Sequence, residues 1–288
     1  MKGDFFMAKK WLDYEVEELK KMKDKGVPHK EIAKYFNVTL SSVENKIRRL
    51  GISKKLCGNL NFFENINTEE KAYWLGFIYA DGYVICNPSS GNYELGIELN
   101  SIDIGHLYKF NSVFDNYYKV TSKAKDKKCL ERLNGKKQDG ILNMCTIRVY
   151  SKKIVFDLIR NGVVQNKTNS HIFPKIENED LFFHFLRGYI DGDGSYTYSK
   201  VKTSSGRVIA YPRVNITGNN KECFEYISNR LKSYHILSSI NKDGNNYKLE
   251  IRNRNSVREI IYRLFNNHSI CLDRKLKKLN EFINSRLI

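Results

Sequence analysis

Residues 72–84 read AYWLGFIYADGYV, and residues 184–196 read HFLRGYIDGDGSY. Each is an apolar, helix-like run that stops on Asp-Gly. A helix C-terminus carries partial negative charge, so an aspartate there is electrostatically misplaced. Taken singly, such an end reads as a helix stop, with glycine at the C′ position and the acid merely exposed. Its occurrence twice in one chain asks for a common cause. Gly76 and Ala80 lie four residues apart on one helix face, as do Gly188 and Gly192. Small residues at that spacing let two helix backbones approach closely. Helices packed in this way bring Asp81 and Asp193 side by side at two negative helix ends. That arrangement calls for cations. A hard divalent metal with oxygen ligands is the natural one, and the backbone carbonyls of Ala80 and Gly192 can add to the two carboxylates.

Working outward, each run opens a similar series of elements. The first half, residues 71–175, has the apolar helix, two strands around Pro-Ser-Ser-Gly, and a helix with Ile104, Leu107, Phe110 and Phe114. Two further strands, YYKVTSKAKD and GILNMCTIRVYS, and the helix KKIVFDLIRNG complete it. The second half, residues 176–288, follows with a hairpin around Ser-Ser-Gly, the helix NKECFEYISNRLKSY, a hairpin turning at Asp243-Gly244, and the helix SVREIIYRLFNN. Both halves read αββαββα. The expected class is therefore α+β, a duplicated domain with a pseudo-two-fold axis, the internal counterpart of a symmetric dimer. One chain carrying both copies is expected to act as a monomer.

Residues 1–53 are expected to form a separate module, joined by a linker over 54–70 that settles into a helix N-capped by Thr68. Three short helices are expected over 13–52. Pro28 suits a first helical turn, and Leu40, Val43, Ile47 and Leu50 form the apolar stripe of the third helix. Three helices with a tight second turn resemble a helix-turn-helix, whose last helix enters the major groove. Its exposed positions are expected to be Ser41, Ser42, Asn45, Lys46, Arg48 and Arg49. A plain three-helix bundle is the other reading of this segment.

The chain of 288 residues has a net charge of +17 and is 41% hydrophobic. It can bury a core, and its charge favours a polyanionic partner, most often nucleic acid. No run of about 18 apolar residues is present, so no membrane span is expected. The N-terminal MKGDFFMAKKW has no apolar h-region, so no secretory signal is expected. The six cysteines, at 57, 86, 129, 145, 223 and 271, show no C-x-x-C spacing. Free thiols in a reducing compartment and no zinc site follow. A cytoplasmic location, in a bacterial or phage-infected cell, or an organellar one is expected.

Strand alternation selects candidates for nucleic-acid contact. These are Arg148 with Tyr150, Lys200 with Lys202, Arg213 with Asn215 and Thr217, and Arg252 with Arg254. Arg, Asn and Thr can meet base edges in the major groove, while Lys mainly meets phosphate.

The segments WLGFIYADG and LRGYIDGDG resemble the two copies of the LAGLIDADG motif of homing endonucleases. The αββαββα order resembles that family's repeat, over about residues 70–288. The sixth motif position departs, being Tyr79 in one copy and Asp191 in the other, and the opening position of the first copy is Trp74. The resemblance implies curved antiparallel sheets forming a saddle on double-stranded DNA, with no small-molecule substrate. It implies Mg²⁺- or Mn²⁺-dependent hydrolysis of one phosphodiester per strand at a long site, leaving short 3′ overhangs. It also implies one basic residue per half. Lys167 and Lys275 stand at nearly equal distances after Asp81 and Asp193, with Arg274 an alternative to Lys275. Catalytic roles are thus expected for Asp81, Asp193, Lys167 and Lys275. A catalytically inactive DNA-binding regulator or an intron-splicing maturase is the alternative function. Ends without the Cys or Ser start and His-Asn finish of protein splicing favour a free-standing chain over an intein.

Overall fold

A computed structural model describes residues 11–24, 27–50, 59–126, 141–166, 170, 172–202, 204–206 and 208–284. The chain divides into two compact units, Met1–Gly58 and Asn59–Ile288.

The first unit contains helices α1 (Asp13–Asp24), α2 (His29–Tyr35) and α3 (Leu40–Arg49). Leu19, Ile32, Ala33, Val43 and Ile47 form its buried core, ringed by Trp11, Met22, Val27, Phe36, Val38 and Leu50. The chain turns between α2 and α3 through Asn37 at φ 50°, a left-handed conformation that asparagine tolerates. Thr39 then caps α3, its Oγ1 accepting from the Ser42 amide at 3.2 Å, which satisfies one orphan donor of the first turn. Leu40, expected in the apolar stripe, is 42% exposed, because the first residue of α3 reaches past this small core.

The second unit holds the two repeats. The first runs α4 (Glu69–Asp81), β1 (Gly82–Asn87), β2 (Asn92–Asn100), α5 (Ile104–Ser112), β3 (Val120–Asp126), β4 (Ile141–Tyr150) and α6 (Lys152–Arg160). The second runs α7 (Glu179–Asp193), β5 (Gly194–Lys202), β6 (Val208–Gly218), α8 (Lys221–Lys232), β7 (Ser239–Asp243), β8 (Asn246–Ile251) and α9 (Arg254–Phe265). Both follow the expected αββαββα order. Each makes one antiparallel sheet with the same strand sequence, β1-β2-β4-β3 and β5-β6-β8-β7. A further helix, α10 (Asp273–Asn284), extends the second repeat. Its apolar positions Leu276, Leu279 and Ile283 were a readable signal at helical spacing.

From Asn59 onward, the stretch expected to be a linker belongs to the second unit. Phe62 and Phe63 are buried. The Asn161 side chain donates to the Phe63 carbonyl at 2.8 Å, and Arg160 donates to that of Glu64 at 2.7 Å. Two adjacent phenylalanines gain too much by burial to stay in a solvated tether.

The central helices are buried on all sides, from Ala72 to Ala80 in α4 and from Phe182 to Asp191 in α7. A helix buried all round is a core helix, and α7 buries His184, Arg187 and Asp191 along with its apolar residues. The sheets lay their inner faces on this layer, with Val84, Leu95, Ile97, Cys145, Ile147 and Val149 buried from one and Tyr196, Val214, Ile216, Leu249 and Ile251 from the other. Among the described residues, no helix is long and apolar enough to cross a membrane.

Candidate functional site

The two motif helices pack directly on one another. A Cβ built at Gly76 would lie 2.0 Å from the Phe185 carbonyl oxygen, and one at Gly188 would lie 2.0 Å from the Tyr73 carbonyl oxygen. The same sequence offset relates Tyr73 to Phe185, Gly76 to Gly188 and Asp81 to Asp193, so the contact is pseudo-two-fold. Only glycine permits this approach at either position. Further along, a Cβ at Gly192 would lie 2.2 Å from the Ala80 Cβ and 3.4 Å from Asp81 Oδ2. The Asp81 carboxylate therefore reaches the end of the opposite helix, and the two motif ends converge as the spacing predicts.

The glycines after the aspartates do not act as left-handed caps. Gly82 has φ −85° and Gly194 φ −104°, both extended. Each helix passes straight into a strand. What requires glycine is crowding: a Cβ at Gly82 would lie 2.8 Å from the Ile78 carbonyl oxygen, and one at Gly194 would lie 2.8 Å from that of Asn215. Asp81 and Asp193 are exposed while the helices behind them are buried. The site thus offers two carboxylates and helix-terminal carbonyls, an all-oxygen set that fits a hard divalent cation.

Lys275, near the start of α10, lies in this site. Its Nζ donates to the carbonyl oxygens of Ile190, Gly192 and Gly194 at 2.7, 2.8 and 2.8 Å. All three ammonium donors go to the C-terminal end of α7, where the helix dipole favours a cation. Burial lowers its pKa to about 8, against the attraction of Asp191, Asp81 and Asp193. One of these acceptors is the Gly192 carbonyl expected as a metal ligand, whose second lone pair remains for another partner. Arg274 is turned elsewhere. It grips Asp103 of the first repeat at 3.0–3.2 Å. Lys167 lies outside the described residues.

A buried polar chain stands behind Lys275. Asp191 Oδ2 accepts from the Leu272 amide and from the Tyr73 hydroxyl, both at 2.8 Å. Tyr73 also meets His106 Nε2 at 3.0 Å. Since the tyrosine proton goes to the carboxylate, Nε2 must carry the imidazole hydrogen. Nδ1 is then bare, and it has no partner among the described residues. Burial lowers the His106 pKa to about 3 and raises that of Asp191 to about 6. Arg187, fully buried, adds a second tie. It donates to Glu69 Oε1 and to the Leu264 carbonyl, both at 2.6 Å, and to the Ile270 carbonyl at 3.0 Å. Glu69 accepts in turn from the Ser269 amide and hydroxyl. The chain entering α10 is thereby pinned to both motif helices. Sequence reasoning missed Arg187 and Glu69, although a charge inside an apolar motif is a signal of its own.

The outer faces of the sheets carry most of the other candidates. Arg148 and Tyr150 are exposed on β4, between the buried Ile147 and Val149. Arg213, Asn215 and Thr217 alternate with the buried Val214 and Ile216 on β6. Asn215 is itself 9% exposed, and it accepts from Ser195 Oγ at 3.0 Å. Two expectations need correction. Lys202 pairs with Val208, in step with Tyr196 and Val214. It therefore belongs to the face opposite Arg213, while the Lys200 side chain lies outside the described residues. Arg252 and Arg254 do not alternate on a strand, because β8 ends at Ile251 and Arg254 opens α9. The Asn253 side chain caps that helix, accepting from the Ser256 amide at 3.1 Å; a strong N-cap outweighs strand continuation. In the first unit, Ser41, Asn45, Arg48 and Arg49 are exposed on α3, and Ser42 and Lys46 half-buried. Asn45 Oδ1 accepts from Arg48 at 2.7 Å.

Comparison with curated protein sequences gives no match. Residues 186–285 match the family model described as LAGLIDADG endonuclease. Among solved structures, the homing endonuclease I-WcaI bound to its DNA recognition sequence is similar at TM-score 0.52 and 17% identity, over 75% of this chain and 90% of that one. I-SmaMI bound to uncleaved DNA target in the presence of calcium ions is similar at TM-score 0.51 and 14% identity, over 76% and 92%. The second repeat is thus matched in sequence by the LAGLIDADG endonuclease family, and the fold of the two-repeat unit is that of the LAGLIDADG homing endonucleases.

Proposed function

We propose that this protein is a site-specific homing endonuclease that makes metal-dependent double-strand breaks in DNA, hydrolysing one phosphodiester per strand to leave short 3′ overhangs. The observation that carries the reading is the convergence of Asp81 and Asp193 at two crossing helix ends, with the Lys275 ammonium beside them. Asp81 and Asp193 would hold Mg²⁺ or Mn²⁺, helped by the carbonyls of Ala80 and Gly192. Such a metal would supply Lewis acidity for phosphodiester hydrolysis. Lys275, protonated at neutral pH, stabilises charge on the phosphate in one centre. Lys167 is its proposed counterpart in the other.

DNA lies across the outer faces of the two sheets, where Arg148, Tyr150, Arg213, Asn215, Thr217 and Arg252 meet bases or phosphates. Lys200, Lys202 and Arg254 are left to backbone contact at the margins. The first unit adds a grip on flanking DNA through Ser41, Ser42, Asn45, Lys46, Arg48 and Arg49. The net charge of +17 suits this partner, and affinity falls with salt at a log–log slope of roughly −0.9 per neutralised phosphate.

The test is incubation of the purified chain with DNA flanking its own locus, in Mg²⁺ and in EDTA. A Mg²⁺-dependent break at one site with 3′ overhangs is expected. Tight, salt-sensitive binding without cutting in either condition would replace this reading with a regulator or maturase.

A further inference from the structure

Each sheet carries a glutamate sunk into its outer face. Glu94 on β2 is 8% exposed and Glu250 on β8 is 3% exposed. A carboxylate turned toward a polyanion is unfavourable unless cations accompany it, and both have such company. Tyr83 of β1 donates its hydroxyl to Glu94 Oε1 at 2.7 Å. Arg148 of β4 places Nε 3.2 Å from the same oxygen, with its own side chain 51% exposed. Gly96 stands opposite both Tyr83 and Arg148 in the register. A Cβ at Gly96 would lie 2.1 Å from the Tyr83 ring, so the ring occupies the space a side chain would take. Three strands thus build one unit: tyrosine, glutamate, arginine.

The second sheet repeats the device with the acid moved one strand over. Glu250 is held by Lys248 Nζ at 3.1 Å, by Asn241 Nδ2 at 3.1 Å and by Arg252. The strand that corresponds to the site of Glu94 carries Arg213 there instead.

A guanidinium has five N–H donors in a rigid fork. Glu94 engages the Nε side of Arg148, and Tyr83 and Tyr150 stand against the same group. The half-exposed head is therefore held by Glu94, Tyr83 and Tyr150 while part of it stays open to solvent. An arginine held in advance loses less rotamer freedom on contact. Its natural base partner is guanine, whose O6 and N7 accept two parallel bonds.

We propose that Glu94 is a positioning residue for base recognition: it presents Arg148 so that one position of the target is read as a G·C pair. Glu250 does the same for Arg252 in the other half-site. This inference rests on the DNA-binding reading above.

The test is selection of binding sites from a randomised duplex library by the full chain, with Ca²⁺ replacing Mg²⁺ to limit cutting. Wild type, Arg148→Ala and Glu94→Gln are compared, each checked for an unchanged melting temperature. Gln keeps the volume and an acceptor for Tyr83 but removes the charge that holds the arginine. Arg148→Ala is expected to lose a G·C preference at one position only. Glu94→Gln is expected to weaken that same preference about tenfold and leave the other positions intact. A Glu94→Gln profile equal to wild type, or one degraded evenly across the half-site, overturns the inference; the second result marks a merely structural glutamate. An Arg148→Ala profile equal to wild type overturns it as well. Failure of the wild type to enrich any sequence overturns the DNA-binding reading and the inference with it.

Discussion

The two copies of the motif match in backbone and differ in buried chemistry, most clearly two residues before the aspartate. In the second repeat that position is Asp191, which accepts from Leu272 and Tyr73 and so fixes the chain leading to α10 and Lys275. In the first it is Tyr79, a buried ring packed against Tyr189 at 5.2 Å. One repeat fills the space with an aromatic contact; the other invests a carboxylate that ties down its own catalytic candidate. The helix crossing depends on small residues and is indifferent to this change. The surroundings of each centre are not. A pseudo-symmetric scaffold can therefore hold two centres of unequal construction, and strand-resolved experiments can separate them.

The largest effect is expected where the copies agree. Asp81→Asn or Asp193→Asn should reduce cleavage of at least one strand by about a thousandfold or more while sparing binding, the scale on which electrostatic stabilisers act. Cleavage of a supercoiled plasmid bearing the target reports it, and full double-strand cutting by both variants would remove the metal-site assignment. Next are Gly76→Ala and Gly188→Ala. Each puts a methyl into the opposing backbone, and each should lower stability by about 3 kcal/mol or more, read by thermal or urea unfolding. A large cost at one glycine and none at the other would break the pseudo-symmetry of the crossing.

The comparison sharpens with Asp191→Asn against Tyr79→Phe. Asp191→Asn removes the charge that accepts from the Leu272 amide, and should slow one strand about tenfold relative to the other, as loss of a buried charged hydrogen bond implies. Tyr79→Phe should change both strands by less than about threefold, the scale of a single neutral hydrogen bond. Equal slowing of both strands by Asp191→Asn would mean that its influence is not local to the second centre.

The last effect concerns pH. His106 has a folded pKa of about 3 against 6.5 ordinarily, so between these values the unfolded chain binds a proton that the folded chain does not. Its contribution to stability is present above about pH 6.5 and lost as pH falls toward 3, with a slope of up to about 1.4 kcal/mol per pH unit. Asp191 acts oppositely. Raised to about 6 from 3.8, it favours the folded state at acid pH and loses that contribution as pH rises through 6. His106→Gln should therefore flatten the acid loss of melting temperature between pH 6 and 4. An unchanged acid slope would show that His106 is not the proton-linked group.

Much of the core was legible because local and global signals agree. β4 alternates strictly, with Cys145, Ile147 and Val149 inward and Arg148 and Tyr150 outward, and its place follows from period two. The crossing of α4 and α7 was legible from Gly76 and Gly188 together with apolar residues on every side. Failures arose where a local signal had a competitor. Asn253 turned Arg254 from strand to helix by capping. Phe62 and Phe63 drew a supposed linker into the core. Lys202 lies on the face opposite Arg213, because the register between β5 and β6, which spacing along either strand does not reveal, sets which of their residues share a face.

Two helices with small residues at fixed spacing, each ending on an aspartate, are readable from the chain's order of residues alone. Those are properties of neighbours along the chain, set by helical geometry. That Lys275 and not Arg274 enters the site, and that Asp191, Tyr73 and His106 form one buried chain, follows from packing in three dimensions. So does the placing of Glu94 and Glu250 beneath basic side chains on the outer faces. Each depends on partners brought together from distant parts of the chain, where burial, and not sequence spacing, fixes which polar groups must find one another.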